Sequence, residues 1–394
     1  MVCPHFGVCG GCDLQHVSYP EQLARKHERL SAALRRSLGR RVPEVQPFAG
    51  MAPEADGMPW HFRRKASFVF APAPGRRRGF VMGHFARGSK RVVPIEQCPV
   101  HSRRANRLAF ALRDRLAAAG ISAAFGRSDG ILRHVIVRTS HDDREAVVML
   151  VVTRNDRALR APLRAFLASA DRPDGLLVNV HGQPGPYMVG DETLRIDGHP
   201  HVRETRLGPV FQVSPTAFFQ TNPDAAAVLV DEVLEHVAPS ARLLDLYAGS
   251  GLFAIPAAAR GATVTAVEEN PQAVRDGQAN ARLNRIPAAR LRFVLARVED
   301  ALARAARTPP EAVVLDPPRQ GCGPQVVSTV FRTLAPERAI YVSCNPGALS
   351  TELPQICEQG YRITRVQPVD MFPHTEHIET VVVLDRSAPG GTTG

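Results

Sequence analysis

The feature of this sequence that most constrains its fold is a regular alternation of strand-type and helix-type segments after residue 208. Short apolar runs typical of buried strands occur at 242–246, 263–267, 290–295, 312–315 and 339–343. This rhythm predicts a Rossmann-like, doubly wound α/β domain over residues 208–386. Ligands of such sheets bind beyond the carboxyl ends of the strands, so we expect the functional residues there.

Residues 46–207 follow a different pattern, typical of an antiparallel sheet. Two strand-type runs at 65–71 and 79–85 are joined through prolines and a glycine, which predicts a hairpin. Further strand-type runs lie at 132–139, 145–153 and 175–181, with a helical segment at 158–168. We therefore predict a central α+β domain with an antiparallel sheet. It is preceded by a segment at 1–45, and the chain ends in a disordered Gly-, Thr- and Ser-rich tail at 387–394.

The chain carries a clear excess of positive charge. Its 49 Lys and Arg outnumber its 38 Asp and Glu, for a formal charge of +11, so the favoured partner is a polyanion such as RNA. A membrane is the weaker alternative, because the longest apolar run, 146–152, is far shorter than the ~20 residues of a spanning helix. No export signal is recognisable, so we expect a cytoplasmic, reducing location in which cysteines serve metal binding or catalysis.

The predicted hairpin combines basic and aromatic side chains. They are Phe62, Arg63, Arg64, Lys65, Phe68, Phe70, Arg76, Arg77, Arg78 and Phe80. Basic groups neutralise phosphates and exposed aromatic rings stack on splayed-out bases, so the hairpin is predicted to bind RNA. The alternative is that half of the aromatic residues face the core of the sheet.

An amphipathic helix is predicted at 21–38. Its apolar residues recur at helical spacing, and the opposite, outer face carries Arg25, Lys26, Arg29, Arg35 and Arg36. A solvated basic face is the default interpretation of such a stretch, and RNA binding is the less specific one.

Four cysteines form a candidate metal site. Cys3, Cys9 and Cys12 lie close together among glycines that let the backbone turn tightly, and Cys98 is the next cysteine in the sequence. Four thiolates suit either an iron–sulfur cluster or tetrahedral zinc, and the spacing does not decide between them.

A further cysteine follows a predicted strand in the C-terminal half. Cys344 stands after the run 339–343, and Asp316 with two prolines stands after the run 312–315, so both are predicted to face one cleft. An inert buried thiol is the alternative for Cys344. Glu379, in the segment 372–379, is a candidate proton acceptor beside the thiol. A metal site made of His374, His377 and Glu379 is disfavoured, because these residues share no helix face.

A glycine-containing turn predicts a nucleotide-type ligand. The sequence Asp-Leu-Tyr-Ala-Gly-Ser-Gly at 245–251 follows the first strand, and Glu268 ends the next strand at the separation typical of a ribose-binding carboxylate. The glycine pattern alone leaves NAD open, since Ala254 at the third position is allowed. Upstream, Asn222 is placed to cap a helix and to hold Gln220 at the mouth of the site, while Phe218 and Phe219 are expected to pack in the core.

Taken together, seven motifs resemble those of the RNA 5-methyluridine methyltransferases. They are CPHFGVCGGC, FFQTN, DLYAGSG, the Glu268 strand end, DPPRQG, SCNP and FPHTEHIE, and they span nearly the whole chain. The resemblance implies methylation of uracil C5 in RNA, with S-adenosyl-L-methionine as the methyl donor. It implies Cys344 as nucleophile and Glu379 as base, and Gln220, Tyr247, Glu268 and Asp316 as contacts of the methyl donor. It also implies a [4Fe-4S] cluster on Cys3, Cys9, Cys12 and Cys98.

The resemblance has two departures. An acidic residue that approaches the adenine in many members is absent after the third strand, where Glu299 is the candidate substitute, and no segment resembles the small TRAM β-barrel of some members. Members with the cluster but without the barrel are most similar to the enzymes for a hairpin loop of 23S ribosomal RNA. We therefore expect a monomeric enzyme acting on 23S rRNA, with transfer RNA as the alternative.

Two other classes of function compete with this interpretation. An amino-group nucleobase methyltransferase also uses an Asp-Pro-Pro element, but an aromatic residue usually follows it where this chain has Arg319, and such an enzyme needs no thiol. A non-catalytic RNA-binding protein with a structural cluster is the second competitor. It would have no reason to keep a site for S-adenosylmethionine.

Overall fold

A computed structural model of the chain describes residues 3–73, 75, 79–124, 130–183, 188–305 and 309–387. Three arginines of the predicted hairpin, Arg76, Arg77 and Arg78, lie outside the described residues. Residues 388–394 of the predicted tail also lie outside them. The fold is mixed α/β, as predicted.

The helices and strands follow one another in two blocks. The helices are α1 (Tyr19–Leu38), α2 (Arg103–Ala118), α3 (Arg160–Leu167), α4 (Pro223–Glu235), α5 (Ala254–Ala259), α6 (Pro271–Leu283), α7 (Val298–Ala305), α8 (Pro324–Ser328) and α9 (Pro346–Glu358). The strands of the first block are β1 (Lys65–Pro72), β2 (Phe80–Phe85), β3 (Val92–Pro94), β4 (Leu132–Thr139), β5 (Ala146–Val152), β6 (Gly175–Val180), β7 (Glu192–Gly198), β8 (Val202–Glu204) and β9 (Phe211–Val213). Those of the second are β10 (Arg242–Leu246), β11 (Thr263–Glu268), β12 (Leu291–Leu295), β13 (Ala312–Leu315), β14 (Arg338–Ser343), β15 (Tyr361–Val369) and β16 (Glu379–Arg386).

The C-terminal sheet has the strand order β12-β11-β10-β13-β14-β16-β15. Its first five strands are parallel, and β16 inserts antiparallel between β14 and β15. Successive residues of β10 enter different cores, since Leu243 packs on one face of the sheet and Leu244 on the other. Burial on both faces explains the nearly continuous apolar strands that the sequence shows.

The central sheet has the order β3-β2-β1-β4-β5-β6-β7. The predicted hairpin is confirmed, because β1 and β2 pair antiparallel. The prediction of a wholly antiparallel sheet is wrong at one place, where β5 and β6 pair in parallel. The segment between them contains α3, and a crossover of this kind is what returns a strand in the parallel direction.

The two faces of the central sheet pack against different partners. Along β5, Val147, Met149 and Val151 enter a core shared with the C-terminal block, while Val148 and Leu150 enter a core formed with α2 and α3. The central sheet is therefore covered on both faces at β5, and neither face is free to bind RNA there.

Helix α2 was absent from the sequence-based prediction. Its apolar residues Leu108, Leu112 and Leu116 recur every four positions and are fully buried. Ser102 caps it, since its side chain accepts a hydrogen bond from the amide of Ala105 at 2.9 Å. Both signals are present in the sequence.

Helix α1 lies against the C-terminal block. Leu30, Leu34 and Leu38 pack in the same core as residues of α9. The prediction that Lys26 lies on a solvated face is wrong: it is 1% exposed, and its Nζ lies 2.6 Å from Oδ1 of Asp370. The buried carboxylate compensates for the loss of water around the ammonium group.

Within the described residues, no helix is both long and apolar enough to cross a bilayer.

Candidate active site

Several predicted site residues meet at one edge of the C-terminal sheet. Asp245 is the second-last residue of β10 and Glu268 is the last residue of β11. Asp316 follows β13, and Cys344 follows β14. Because these strands are parallel, their carboxyl ends share that edge. Strand β16 runs the other way and therefore begins there, with Glu379 as its first residue.

The ladder between β14 and β16 sets Cys344 beside Glu379. The last pair of that ladder is Ser343 with Thr380. Cys344 is one residue beyond Ser343 and Glu379 is one residue before Thr380, so antiparallel pairing continues to bring the two toward each other. We call the region formed by Asp316, Arg319, Cys344 and Glu379 the cleft.

The backbone after Cys344 is held by Asn345. Its side chain accepts a hydrogen bond from the amide of Gly347 at 3.0 Å and so caps α9. The same side chain donates from Nδ2 to the carbonyl oxygen of Arg319 at 2.8 Å. Asn345 thus ties the loop after β13 to the loop after β14, and Pro346 begins the helix without needing an amide partner.

The electrostatics of the cleft are those of clustered acids around a thiol. Burial raises the pKa of Cys344, and the charges of Glu379 and Asp316 raise it further, while Arg319 lowers it. Burial also raises the pKa of Glu379 well above its usual value, with Asp316 adding to the effect and Arg319 opposing it. Burial raises the pKa of Asp316 to about 7. A positive charge entering the cleft would favour the ionised form of each of these groups.

Arg319 is a residue of the cleft for which the sequence predicted no role. It is the group that lowers the pKa of both Cys344 and Glu379. Its signal in the sequence was its position directly after Asp316 and the two prolines, which we used only to exclude another class of enzyme.

The glycine turn after β10 is shaped by its backbone and by Glu268. Tyr247 has a φ of 62°, and Gly251 has a φ of 92° with Ile255 and Phe293 so close that a Cβ would meet them at 2.9 Å. Glu268 accepts the amide of Gly249 at 2.9 Å. Glu268 therefore holds the turn that contains Tyr247 in place.

Glu299 lies near Tyr247 as well. Burial raises the pKa of the Tyr247 phenol, and the charge of Glu299 is among the further causes. Glu299, the candidate substitute for the missing acidic contact with the adenine, is thus close enough to Tyr247 for its charge to act on the phenol.

The segment with Gln220 is anchored to the loop before β16. Asn222 caps α4, as predicted, with its side chain accepting from the amide of Ala225 at 3.3 Å. It also donates to the carbonyl oxygen of Met371 at 3.1 Å. The expectation that both phenylalanines are core residues is half wrong, since Phe219 is 4% exposed but Phe218 is 81% exposed.

His374 is fully buried and engaged at both ring nitrogens. Nε2 lies 2.7 Å from the carbonyl oxygen of Pro59, Nδ1 lies 3.3 Å from Nε2 of Gln22, and the ring stacks on Trp60 at 4.3 Å. The backbone carbonyl of His374 accepts the amides of Asp13 and Leu14 at 2.7 and 2.9 Å. His374 is therefore a structural joint between the N-terminal segment and the loop before Glu379.

The described part of the hairpin turns inward. Phe68 and Phe70 are fully buried, which confirms the alternative in which the aromatic residues face the core. The side chain of Arg64 is 15% exposed and pairs with Asp143 at 2.9 Å. Burial lowers the pKa of Lys65 to about 7, with two arginines adding to the effect. Arg64 and Lys65 do not form an exposed basic face.

The four predicted metal-binding cysteines line one cavity of about 370 Å³, which we call the thiol cavity. Burial raises the pKa of Cys12 to about 12 and that of Cys98 to about 11, and the other thiols of the cavity contribute to both shifts. The fold thus brings Cys98 to the three N-terminal cysteines. Four thiols gathered in one cavity are a suitable set of ligands for a cationic metal group.

Comparisons with known proteins agree on one kind of enzyme. A family model described as tRNA (Uracil-5-)-methyltransferase matches residues 191–387. The chain is 34% identical to an uncharacterized RNA methyltransferase of Thermosynechococcus vestitus, over 96% of this chain and 82% of that protein. It is 33% identical to one of Chlorobaculum tepidum, over 98% of this chain and 83% of that protein.

A solved structure is similar over nearly the whole chain. The Pyrococcus abyssi tRNA (uracil-54, C5)-methyltransferase, in complex with S-adenosyl-L-homocysteine, superposes with a TM-score of 0.79 at 27% identity. The match covers 96% of this chain and 86% of the other.

Proposed function

Because this chain belongs to the RNA uracil-C5 methyltransferase family, we propose that it methylates C5 of a uridine in 23S ribosomal RNA. The observation that carries the chemistry is the pairing of β14 with β16, which sets a thiol and a carboxylate side by side at the ligand-binding edge of the sheet. An amino-group methyltransferase or a non-catalytic binding protein has no use for that pair.

Transfer RNA is the second candidate substrate. It is favoured by the likeness to the Pyrococcus abyssi enzyme, whose substrate is tRNA uracil-54. The ribosomal alternative is supported by the resemblance of the cysteine motif to that of the 23S rRNA enzymes. We further propose that the enzyme acts as a monomer, with residues 46–207 as the RNA-binding part and 208–386 as the catalytic part.

S-adenosylmethionine, when bound, supplies an electrophilic methyl group on a sulfonium. We assign its binding to Gln220, Tyr247, Glu268 and Asp316; of these, Tyr247 follows β10, Glu268 ends β11 and Asp316 follows β13. A carboxylate-lined edge suits a cationic ligand, and Glu268 is also fixed by the amide of Gly249. Binding of this cation would favour the ionised forms of Cys344 and Glu379.

The reaction that these residues support runs through a covalent adduct. The Cys344 thiolate adds to C6 of the uracil, and the C5–C6 π electrons move into the ring as an enolate. After C5 has gained its methyl group, the Glu379 carboxylate takes the C5 proton, the C5–C6 double bond forms again and the thiolate leaves. The charge of Arg319 lowers the pKa of both groups and so partly offsets the burial and the acidic neighbours that raise them.

The uracil must leave its stack to reach Cys344. Unstacking costs a few kcal/mol, and a loop lowers that cost. Phe218, 81% exposed two residues before Gln220, offers a ring on which a displaced or neighbouring base can stack. We propose that the arginines at 76–78, which stand between β1 and β2 in the sequence, add phosphate contacts.

For the thiol cavity we propose a [4Fe-4S] cluster on Cys3, Cys9, Cys12 and Cys98. Within the described residues no three of these thiols have sulfurs that all lie within 4.8 Å of one another, whereas sulfurs around one zinc ion are about 3.8 Å apart. A cluster, whose ligands bind separate iron atoms, fits the wider spacing. It would join the N-terminal segment to the loop after β3 and could accept or donate an electron.

A methylation assay tests the proposed function. The purified enzyme is given labelled S-adenosylmethionine with 23S rRNA and, separately, with total tRNA from a strain lacking the gene, and the product is mapped by mass spectrometry. We expect one or more 5-methyluridines in the 23S rRNA and none with Cys344→Ala. Methylation of tRNA alone would replace the substrate, and methylated adenine or cytosine would overturn the reaction class.

Iron analysis tests the cluster. Anaerobically purified protein is expected to be brown and to contain about four iron and four sulfide per chain. Colourless wild-type protein with one zinc bound to the four thiols would overturn the cluster.

A further inference from the structure

Among the histidines in the wall of the thiol cavity, two lie close to Cys98, and a four-cysteine cluster does not use them. They are His84, on β2, and His101, just before α2. Together with Cys98 they form a group of three metal-binding side chains whose ligand atoms all lie within 4.8 Å of one another. We call this group the imidazole site. It is more compact than the set of four thiols and shares Cys98 with it.

His101 has unused binding capacity. The residue is 5% exposed, and neither ring nitrogen has a hydrogen-bond partner in the part of the chain that the structure describes. Buried polar groups are nearly always paired, because burial without a partner costs on the order of 1–3 kcal/mol. An imidazole left unpaired at both nitrogens inside a cavity of thiols is what a missing ligand would leave behind.

The imidazole site is held in place by its surroundings. The side chain of Asn106 accepts the amide of Cys98 at 2.9 Å and donates to the carbonyl oxygens of Cys98 and His101 at 2.9 and 3.2 Å. The two imidazoles meet edge to face at 5.2 Å, and both contact Phe68, at 5.0 Å for His84 and 5.3 Å for His101. Their positions therefore do not depend on a bound metal.

The compact spacing suits a single ion. Nitrogen and sulfur ligands of tetrahedral zinc are about 3.5 Å apart, so ligand atoms within 4.8 Å can close on one ion by small side-chain rotations. The half-buried Arg63 lies near Cys98 and repels a cation, and the thiolate of Cys98 offsets that repulsion. Two imidazoles, one thiolate and a solvent molecule complete a recognised zinc coordination set.

We propose that His84, Cys98 and His101 form a second metal site, which binds one Zn²⁺ when the thiol cavity holds no cluster. This goes beyond the proposed methylation, which does not use the site. Because Cys98 belongs to both arrangements, zinc and cluster exclude each other. A chain that has not received its cluster would thus hold a zinc ion at the loop after β3.

The test uses the full-length chain with Cys3→Ser, Cys9→Ser and Cys12→Ser, which removes the cluster ligands but keeps the imidazole site. Anaerobic titration with Co²⁺ is expected to give one tetrahedral ion per chain, with a thiolate charge-transfer band, and Zn²⁺ should displace it. In this background, His84→Phe with His101→Phe should weaken Co²⁺ binding by at least about 100-fold. Cys98→Ser should abolish the charge-transfer band.

Two results would overturn the proposal. One is a natively folded triple variant, by circular dichroism, that binds no Co²⁺. The other is binding that is unchanged after both imidazoles are removed. If the phenylalanine variant does not fold, His84→Gln with His101→Gln replaces it, and the same loss of affinity is expected.

A parallel measurement separates this proposal from the cluster. With its four cysteines intact, the His84→Phe/His101→Phe chain should keep the iron and sulfide of the wild type but lose the zinc bound in cluster-free preparations. Equal loss of iron in that variant would assign the imidazoles to the cluster and overturn the second site. Absence of iron in the wild type would overturn the cluster alone.

Discussion

Cys344 in the cleft and Cys12 in the thiol cavity are both half-buried thiols whose pKa burial raises, yet their neighbours differ in kind. Around Cys344 the other charges are the carboxylates of Glu379 and Asp316 and the guanidinium of Arg319. Around Cys12 the groups whose charge raises the pKa are further thiols, Cys98, Cys9 and Cys3. A raised pKa alone therefore does not tell a nucleophile from a ligand.

The two sites differ in what can lower the raised pKa values again. In the thiol cavity the proposed cluster would bind the four cysteines as thiolates, and its positive iron ions would offset the negative charges that the thiolates place on one another. In the cleft the proposed mechanism needs carboxylates that are free to take up a proton. The raised pKa values there can therefore be lowered only by a positively charged ligand that binds nearby. The two sites thus predict different responses to substitution, which can be measured in one protein.

The largest expected effect is that of Cys344→Ala. Without the sulfur no bond to C6 can form, so methylation should fall by at least about 10⁴-fold. Methylation is measured with labelled methyl donor, and iron content in the same sample should match the wild type. Cys12→Ser is the counterpart, because it should lose the iron. Normal turnover by Cys344→Ala would end the interpretation of Cys344 as a nucleophile.

Glu379→Gln should lower turnover by about 10²–10⁴-fold, because an amide cannot accept the C5 proton. Attack and methyl transfer precede that step, so a methylated protein–RNA adduct should accumulate. On a denaturing gel, labelled RNA and labelled methyl should both migrate with this variant, and neither with Cys344→Ala.

Glu376→Gln is the matched control for that experiment. Glu376 lies three residues away, and its exposed carboxylate pairs with Arg29 at 2.7 Å, outside the cleft. It should turn over normally and show no adduct. An adduct-free Glu379→Gln variant with normal turnover would exclude Glu379 as the base.

Helix α1 links the two sites, and Lys26→Met tests that link. The substitution leaves the buried Asp370 carboxylate without its cation, which should destabilise the fold by about 3–5 kcal/mol in urea unfolding. Arg25→Met, the adjacent exposed residue paired with Glu21, should change the unfolding free energy by less than about 1 kcal/mol. Equal effects of the two variants would show that the buried pair adds nothing.

The smallest expected effect is a shift in the pH dependence of Cys344 alkylation. Thiolate is the reactive form, so alkylation by iodoacetamide should rise with pH, and a raised pKa places that rise at high pH. Asp316→Asn removes a charge that raises the pKa and should move the rise to lower pH. Arg319→Gln removes a charge that lowers it and should move the rise to higher pH. Both shifts should be on the order of one pH unit or less.

Cys357 on α9 is an internal control for these measurements. Its pKa is raised by burial, and its charged neighbours are Arg41 and Glu358 rather than the cleft residues. Peptide mass spectrometry reports both cysteines in the same sample. If Cys357 shifts together with Cys344, the variants have altered the fold and not the local charge.

The residues of the cleft were more predictable from the sequence than the strands and ion pairs that hold them in place. The strand ends at Asp316 and Cys344 could be placed because a parallel sheet gathers carboxyl ends at one edge. The proximity of Glu379 could not be derived from the pattern of the chain, because it depends on β16 inserting antiparallel between β14 and β15. Glu379 was predicted as a proton acceptor from its residue type and from the family resemblance, and neither gives its place in the sheet.

Three of the errors, at Lys26, Arg64 and Phe218, share one physical cause. Lys26 and Arg64 are charged, and sequence patterns assign charged residues to the surface. Each is instead paired with a carboxylate far along the chain, Asp370 and Asp143 respectively. Local spacing contains no information about such partners, and Phe218 was misplaced for the same reason, since its exposure depends on how the segment after β9 docks.

The hydrogen bonds from Asp13 and Leu14 to the carbonyl of His374 have a consequence for the synthesis of the chain. His374 follows Cys12 by roughly 360 residues, and at about 5–20 residues per second a ribosome needs about 20–70 s to make them. During that interval the N-terminal cysteines have neither their docking partner nor, until residue 98 emerges, their fourth thiol. The N-terminal cysteines of a nascent chain thus lack these partners for as long as a minute, so we expect the proposed cluster to be inserted late.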